Sequence, residues 1–361
     1  MNNNNSIKIL ILRVSAIGDV IHTLPTIFLL KKMLPTADIS WVVQKKAADI
    51  LVNQNFIKNL YILNDKYLHP KNLLNTFKII KNLRQEKWDL ILDFQGLLKT
   101  SFIIKFLTGK KFGFDKQNAR DKISVYFTDK QINPKYKNII EKNLSLASNA
   151  IFNLKNIKTC PTINSIKQNF KFNYSNEDIH AVKRWLNTNN INNFIILAPN
   201  TTWPSKHWPE ENWIKLIEYL IKNLKNYKII LTGTHFGDQA KNIANYCNKN
   251  NFNIIQTPKF NLIQIAKLIT KSQLLVAPDT GILHLADFLQ KNAIGIFGPT
   301  KAEKHGAYLN KFNIDNVIQV DCPHYYEKTH GNIQNSGKIN DCMYKLDAKT
   351  LGNKILKILG E

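Results

Sequence analysis

Cysteine is scarce: the 361 residues hold four, Cys160, Cys247, Cys322 and Cys342, with no short paired spacing. That excludes a secreted disulfide framework and a zinc site built on paired cysteines. Cys322-Pro-His324 with His330 and Cys342 could suggest metal ligation, but the irregular spacing fits loop residues better. Long apolar runs are lacking too. None reaches the ~18–20 residues a membrane-spanning helix needs, and Met1–Lys8 has no signal-peptide pattern. A soluble, intracellular protein is the expectation. Glycine-rich phosphate motifs are missing: neither G-x-G-x-x-G nor a Walker lysine motif occurs, which argues against a dehydrogenase or a P-loop enzyme. Acidic side chains are the fourth shortage, 26 against 50 basic ones, for a net charge of +24. Such an excess implies an anionic partner or surface. A compositional drift toward Asn, Ile and Lys, as an AT-rich coding sequence gives, explains part of it equally well.

What is present is a repeated alternation. Apolar residues make up 44% of the chain, which is long enough for two globular domains. Ile7–Val14 reads as a buried strand, Ser15–Asp19 as a glycine turn, and Val20–Leu34 as an amphipathic helix with Pro25 near its start. Ile39–Val43 and Trp88–Phe94 are further strands. The pattern weakens between Ile157 and Asn176, where a linker is expected. It restarts with a helix at Glu177–Asn187 and strands at Phe194–Ala198, Tyr227–Thr232, Asn253–Gln256, Leu274–Ala277 and Ala293–Phe297, and closes with a helix at Asp347–Leu359. Strands alternating with helices predict parallel sheets, hence two doubly wound α/β halves.

The polar residues of interest follow the apolar strands, where ligands bind in open α/β sheets. After Leu274–Ala277 come Asp279, Thr280 and Gly281 at a helix start, where free N–H groups and the helix dipole favour an anion. His284 lies one turn on. Ordinary helix capping and a satisfied surface histidine account for the same residues. After Phe194–Ala198 come Thr201, Thr202 and Lys206, two hydroxyls and a cation suited to phosphate, ahead of a Trp208-Pro209 helix start. After the first strand comes Asp19, a carboxylate that fits either a helix cap or a base kept ionised at neutral pH. Together they suggest a nucleoside diphosphate bound by the second half and an acceptor bound by the first. No Asp/His grouping resembles a metal centre.

These residues lie in segments that resemble the lipopolysaccharide heptosyltransferases of glycosyltransferase family 9. The matching stretches are SAIGDVIHTLP (Ser15–Pro25), DFQGLLKT (Asp93–Thr100), TTWPSKHWPEENW (Thr201–Trp213) and DTGILHL…GIFGPT (Asp279–Thr300), in the family's order over nearly the whole chain. The resemblance implies an α/β protein of GT-B type, two Rossmann-like doubly wound domains facing a central cleft. It implies an acceptor domain at 1–165, a nucleotide-sugar domain at 176–346, and a terminal helix at 347–361 packing back toward the first domain. The GDVIHTLP turn and Asp-Thr-Gly look more like type I than type II members. Those move L-glycero-D-manno-heptose from ADP-heptose to the inner Kdo of Kdo2-lipid A, inverting the anomeric carbon, without metal or other cofactor, at the cytoplasmic face of the inner membrane. Residue by residue, the resemblance makes Asp19 the general base. It gives Thr201, Thr202, Lys206, Asp279, Thr280, Gly281 and His284 to the diphosphate and heptose, with Lys206 also stabilising the leaving group, Phe260 to adenine and Asp238 to ribose. Gly18, Lys45, Lys46, Gln95 and Arg120 fall to the acceptor.

Two points stand apart from the family pattern: the stretch around Asp238, Gly-Thr-His-Phe-Gly-Asp, differs from it, and Asp321–Tyr344 is longer than expected and carries two of the cysteines. Leu97–Leu107 fits a core-facing helix better than a contact with the membrane leaflet. A type II enzyme, or a family member with another glycan acceptor, is the nearest rival reading. A basic nucleic-acid-binding protein is the distant one, suggested by charge alone and lacking any recognisable binding module.

Overall fold

The structure is a computed structural model that describes residues 6–155, 159–167, 170–233, 237–322 and 341–361. The chain forms two compact units, Met1–Asn173 and Tyr174–Glu361, so the boundary falls inside the expected linker, which also holds a short helix, Ile163–Lys167.

The first unit is built on β1 (Lys8–Leu12), β2 (Asp38–Gln44), β3 (Asn59–Leu63), β4 (Leu90–Asp93), β5 (Lys110–Phe114) and β6 (Lys130–Ile132). They form one parallel sheet in the order β3-β2-β1-β4-β5-β6. Central β1 and β4 are apolar on both faces because helices cover both. Leu10, Leu12, Val42, Leu63, Ile80, Leu83, Trp88 and Ile91 meet in one buried cluster, where each fully buried aliphatic chain contributes ~1.5–3 kcal/mol.

The second unit repeats the plan with β7 (Phe194–Leu197), β8 (Lys228–Leu231), β9 (Ile254–Gln256), β10 (Leu274–Pro278), β11 (Ala293–Phe297) and β12 (Ile318–Gln319), in the order β12-β11-β10-β7-β8-β9. Each sheet therefore reverses its strand order once: between β1 and β4 in the first unit, between β7 and β10 in the second. At such a reversal the connections leave to opposite sides and open a crevice beyond the carboxyl ends of the two strands.

The terminal helix, Ala348–Leu359, expected against the first half, packs on helix Glu210–Asn223 of its own unit. Trp208, fully buried, donates its indole N–H to the Leu346 carbonyl at 3.1 Å, which ties the start of one helix to the approach of the other. Leu97–Leu107 is realised as helix Leu98–Ile104, with Thr100, Ser101, Ile103 and Ile104 buried and Leu98 exposed. Cys322 and Cys342 are joined in a single disulfide, while His324 and His330 lie outside the described residues. Among the described residues no helix is long and apolar enough to cross a membrane, and no three His, Cys, Asp or Glu side chains cluster as a metal site.

Candidate functional site

Both groups of candidate residues gather at the strand-order reversals. In the first unit, helix Ile17–Met33 starts directly after β1, earlier than the sequence pattern indicates, so Gly18 and Asp19 lie in its first turn. Asp19 Oδ2 accepts the Ala16 N–H at 3.1 Å, so the residue does cap its helix. It does more than cap. Arg120, from the turn after β5, places Nη2 at 2.9 Å from Oδ2, and Arg13 places Nη2 at 3.7 Å from Oδ1. Burial alone would raise the Asp19 carboxyl, but the two guanidiniums, Arg13 foremost, hold it well below the usual carboxylate range. Helix Ile139–Lys155 steadies this start: Asn143 donates to the His22 carbonyl at 3.1 Å and to Thr23 Oγ1 at 3.2 Å.

Gln95, just past β4, is buried and braces the same turn. Its Oε1 accepts the N–H groups of Val14 at 2.9 Å and Ser15 at 3.2 Å, and its Nε2 has no partner among the described residues. Gly96 makes the bend possible with φ +59°, in the left-handed region where a side chain is strained. Asp93 closes the bend by accepting the N–H groups of Gln95 at 2.9 Å and Gly96 at 3.2 Å. Burial, outweighing those hydrogen bonds, pushes the Asp93 carboxyl up to about 6. Lys45 and Lys46 begin a separate short helix after β2, where both are exposed and Lys46 pairs with Asp65 at 3.5 Å. Arg120 and Gln95 thus join Asp19, whereas Lys46 is turned to a partner of its own.

In the second unit, β10 delivers Asp279 into the crevice, buried to 6% exposure. Lys206, from the turn after β7, reaches its Oδ2 at 2.6 Å, and His284 Nε2 lies 3.0 Å from its Oδ1. Burial would raise this carboxyl, but Lys206 first and His284 next hold it well below the usual range. Helix Gly281–Phe288 starts beside it; its N-cap, Thr280, makes no side-chain capping bond, and the first N–H groups of a helix, which have no intrahelical partner, are where an anion can bind. Thr201 donates its hydroxyl to the Trp203 carbonyl at 2.7 Å, within its own turn, and Thr202 is exposed. Asp238 is exposed at the start of helix Asp238–Lys249. Phe260 is buried with its ring edge-on to Trp185, centroids 5.5 Å apart, and its N–H donates to the Pro258 carbonyl at 2.6 Å.

Three residues of these sites carry little sequence signal. Arg13 looks like the polar end of an apolar strand; its clue is a charge inside an otherwise apolar run, which demands a partner once buried. Asp93 stands inside the quoted DFQGLLKT stretch without an evident task. Asn200, buttressing the β7 turn, donates to the Gly233 carbonyl at 2.7 Å and accepts the Ala240 N–H at 2.9 Å.

The profile of glycosyltransferase family 9 (heptosyltransferase) matches residues 76–332. Lipopolysaccharide heptosyltransferase 1 of Campylobacter coli is 26% identical over 362 residues, covering 98% of this chain and 99% of its own. The enzyme of the same name from Escherichia coli K12 is 25% identical over 309 residues, covering 83% of this chain and 91% of its own. Among solved structures, E. coli heptosyltransferase WaaC with ADP has TM-score 0.74 at 21% identity, covering 98% of this chain and all of that one. E. coli ADP-heptose lps heptosyltransferase II has TM-score 0.71 at 15% identity, covering 98% of each chain. The likeness to these structures makes the fold of GT-B type.

Proposed function

The chain belongs to glycosyltransferase family 9, the heptosyltransferases, and from that premise we propose that it moves L-glycero-D-manno-heptose from ADP-heptose to the inner Kdo of Kdo2-lipid A, inverting the anomeric carbon. The observation that carries this reading is the Asp19 carboxylate, kept charged at the β1/β4 reversal by Arg13 and Arg120. An ionised carboxylate there suits a general base for a sugar hydroxyl. Arg120 offers a planar, bidentate partner for a Kdo carboxylate, and the free Nε2 of Gln95 a neutral donor. Lys45 and Lys46, both exposed, add attraction for the lipid A phosphates at the cytoplasmic face of the inner membrane.

Donor binding falls to the second unit. The diphosphate takes the N–H groups of Thr280 and Gly281, and Lys206 shifts its charge from Asp279 toward the leaving phosphate. Asp279 and His284 orient Lys206 and the heptose; Thr201 and Thr202 line the phosphate turn; Asp238 and the Phe260 backbone meet the adenosine. In this reading protein cations compensate the leaving-group charge and no metal takes part.

Acceptor competition tests the proposal. The enzyme is given ADP-heptose with Kdo2-lipid A, or with Kdo2-lipid A already carrying one heptose, in EDTA. Product one heptose heavier from the first acceptor only, with the inverted anomer by NMR, is the expected result. Transfer only to the heptosylated acceptor would move the enzyme to a later step, and loss of transfer in EDTA would remove the metal-free claim.

A further inference from the structure

Two arginines of opposite character hold Asp19. Arg13 is 2% exposed and fixed at every hand. Its Nη1 donates to the Phe94 carbonyl at 2.5 Å, its Nε to the Asp19 carbonyl at 3.3 Å, and its own carbonyl accepts Trp41 Nε1 at 3.0 Å. Arg120 extends a side chain that is 45% exposed from a surface turn and, among the described residues, makes one charged contact, to Asp19 Oδ2. That oxygen also accepts the Ala16 N–H, so Oδ2, on the exposed Arg120 side, is occupied twice, while Oδ1 faces the buried Arg13 at 3.7 Å.

We infer that Arg13 is a positioning residue and Arg120 an exchangeable latch: an acceptor sugar bearing a carboxylate draws Arg120 off Asp19, baring Oδ2, while Arg13 keeps the base aimed. The inference rests on the acidic-sugar acceptor proposed above. The exchange is close to balanced, since one carboxylate replaces another on the same guanidinium. Losing one neighbouring cation raises the basicity of Asp19, correcting the mismatch between a strongly depressed carboxyl and a sugar hydroxyl. The acceptor hydroxyl then passes its proton to Oδ2 as its oxygen bonds the anomeric carbon. The bond from that carbon to the diphosphate oxygen breaks, and its electron pair leaves with ADP. Among the described residues, the other titratable groups around the base are His22, one turn on along the same helix, and Asp93 at the end of β4, which faces Arg13.

The probe is Kdo2-lipid A beside its Kdo methyl esters, in which the acceptor carboxylate is neutral. Wild type is expected to lose roughly a hundredfold in kcat on saturating ester. Arg120→Gln, with no latch to release, should treat acid and ester alike, within about threefold. An unchanged wild-type kcat on the ester, with all loss in KM, would reduce Arg120 to a binding group and overturn the latch. Arg13→Lys, which keeps the charge but loses the fork, should lower kcat roughly tenfold with acceptor KM unchanged. Arg13→Gln should in addition move the acidic limb of kcat upward. Folded Arg13 variants with wild-type kcat and wild-type acidic limb would overturn the positioning role; if Arg13→Gln does not fold, Arg13→Lys decides. Wild type that transfers to acid and ester equally defeats this inference alone. Wild type that transfers to neither, while remaining active on another acceptor, defeats the acceptor reading and the inference with it.

Discussion

Asp19 and Asp93 stand at neighbouring strand ends, yet their surroundings drive them apart, Asp19 well down and Asp93 up to about 6. The difference is one of partners: Asp19 has two guanidiniums close by, whereas Asp93 has hydrogen bonds that burial outweighs. The signs of their linkage to stability are therefore opposite. Native Asp93 holds its proton to higher pH than the unfolded chain does, so its contribution is full at low pH. It is lost as pH rises from about 4 to about 6, by about 3 kcal/mol. Denaturant unfolding at pH 4.5 and pH 7 should show this slope in wild type and its absence in Asp93→Asn. Asp19 and Asp279, both depressed, work the other way: they stabilise above the ordinary carboxylate range and fail as pH falls below about 4. Acid unfolding of Asp279→Asn should thus be shallower than that of wild type below pH 4, and an identical acid limb would contradict the pairing with Lys206. Asp19, Lys206, Asp279 and His284 were legible because each follows an apolar strand run, and position after a strand is itself a signal. Arg13 was not, because a buried charge and a frayed strand end look alike until the partner is visible. The Lys46–Asp65 pair was not legible either, because it joins residues from separate loops that no local pattern links.

The elements that escaped the sequence share a physical cause. β3 and β6 are edge strands with mostly exposed or half-buried side chains, β5 opens on Lys110-Lys111 and contains Gly113, and β12 has two residues. β3 does carry four apolar residues, Leu60 to Leu63, but on an exposed edge; the others lack the continuous apolar run that makes β1, β4, β7, β10 and β11 readable. Helix ends were clearer. Asp347 caps the terminal helix by accepting the Thr350 N–H at 2.9 Å, and Asp347→Ala should cost about 1 kcal/mol in urea unfolding. Within that helix Gly352 serves packing rather than flexibility: a Cβ there would come 2.4 Å from Tyr219 Cδ1 on helix Glu210–Asn223. Gly352→Val should destabilise by about 1–3 kcal/mol through overpacking, against the usual gain from replacing a helical glycine. A stabilised Gly352→Val protein would mean that the two helices do not meet as described.

At the scale of the whole molecule, two doubly wound halves followed directly from the strand–helix alternation, while the home of the terminal helix did not. Its amphipathic face says only that it must be covered; the Trp208–Leu346 tie decides by what. Each unit has its own buried cluster, so a ligand confined to one should protect that one. ADP at a hundred times its Kd should stabilise by about 2.7 kcal/mol. Hydrogen exchange should find slowed amides around residues 200–206 and 279–284 and unchanged ones around residues 9–14. Equal protection of both regions would contradict the division of labour proposed for the units.

Whether Asp19 takes the acceptor proton is decided by single-turnover transfer from ADP-heptose to purified Kdo2-lipid A. Wild type and Asp19→Asn are compared under saturating donor, so that binding and product release drop out of the rate. The rate should fall by roughly a hundredfold or more in Asp19→Asn, with donor affinity unchanged. An Asp19→Asn enzyme that transfers heptose at the wild-type rate would leave Asp19 a helix cap held by two arginines, and the mechanism would need another base.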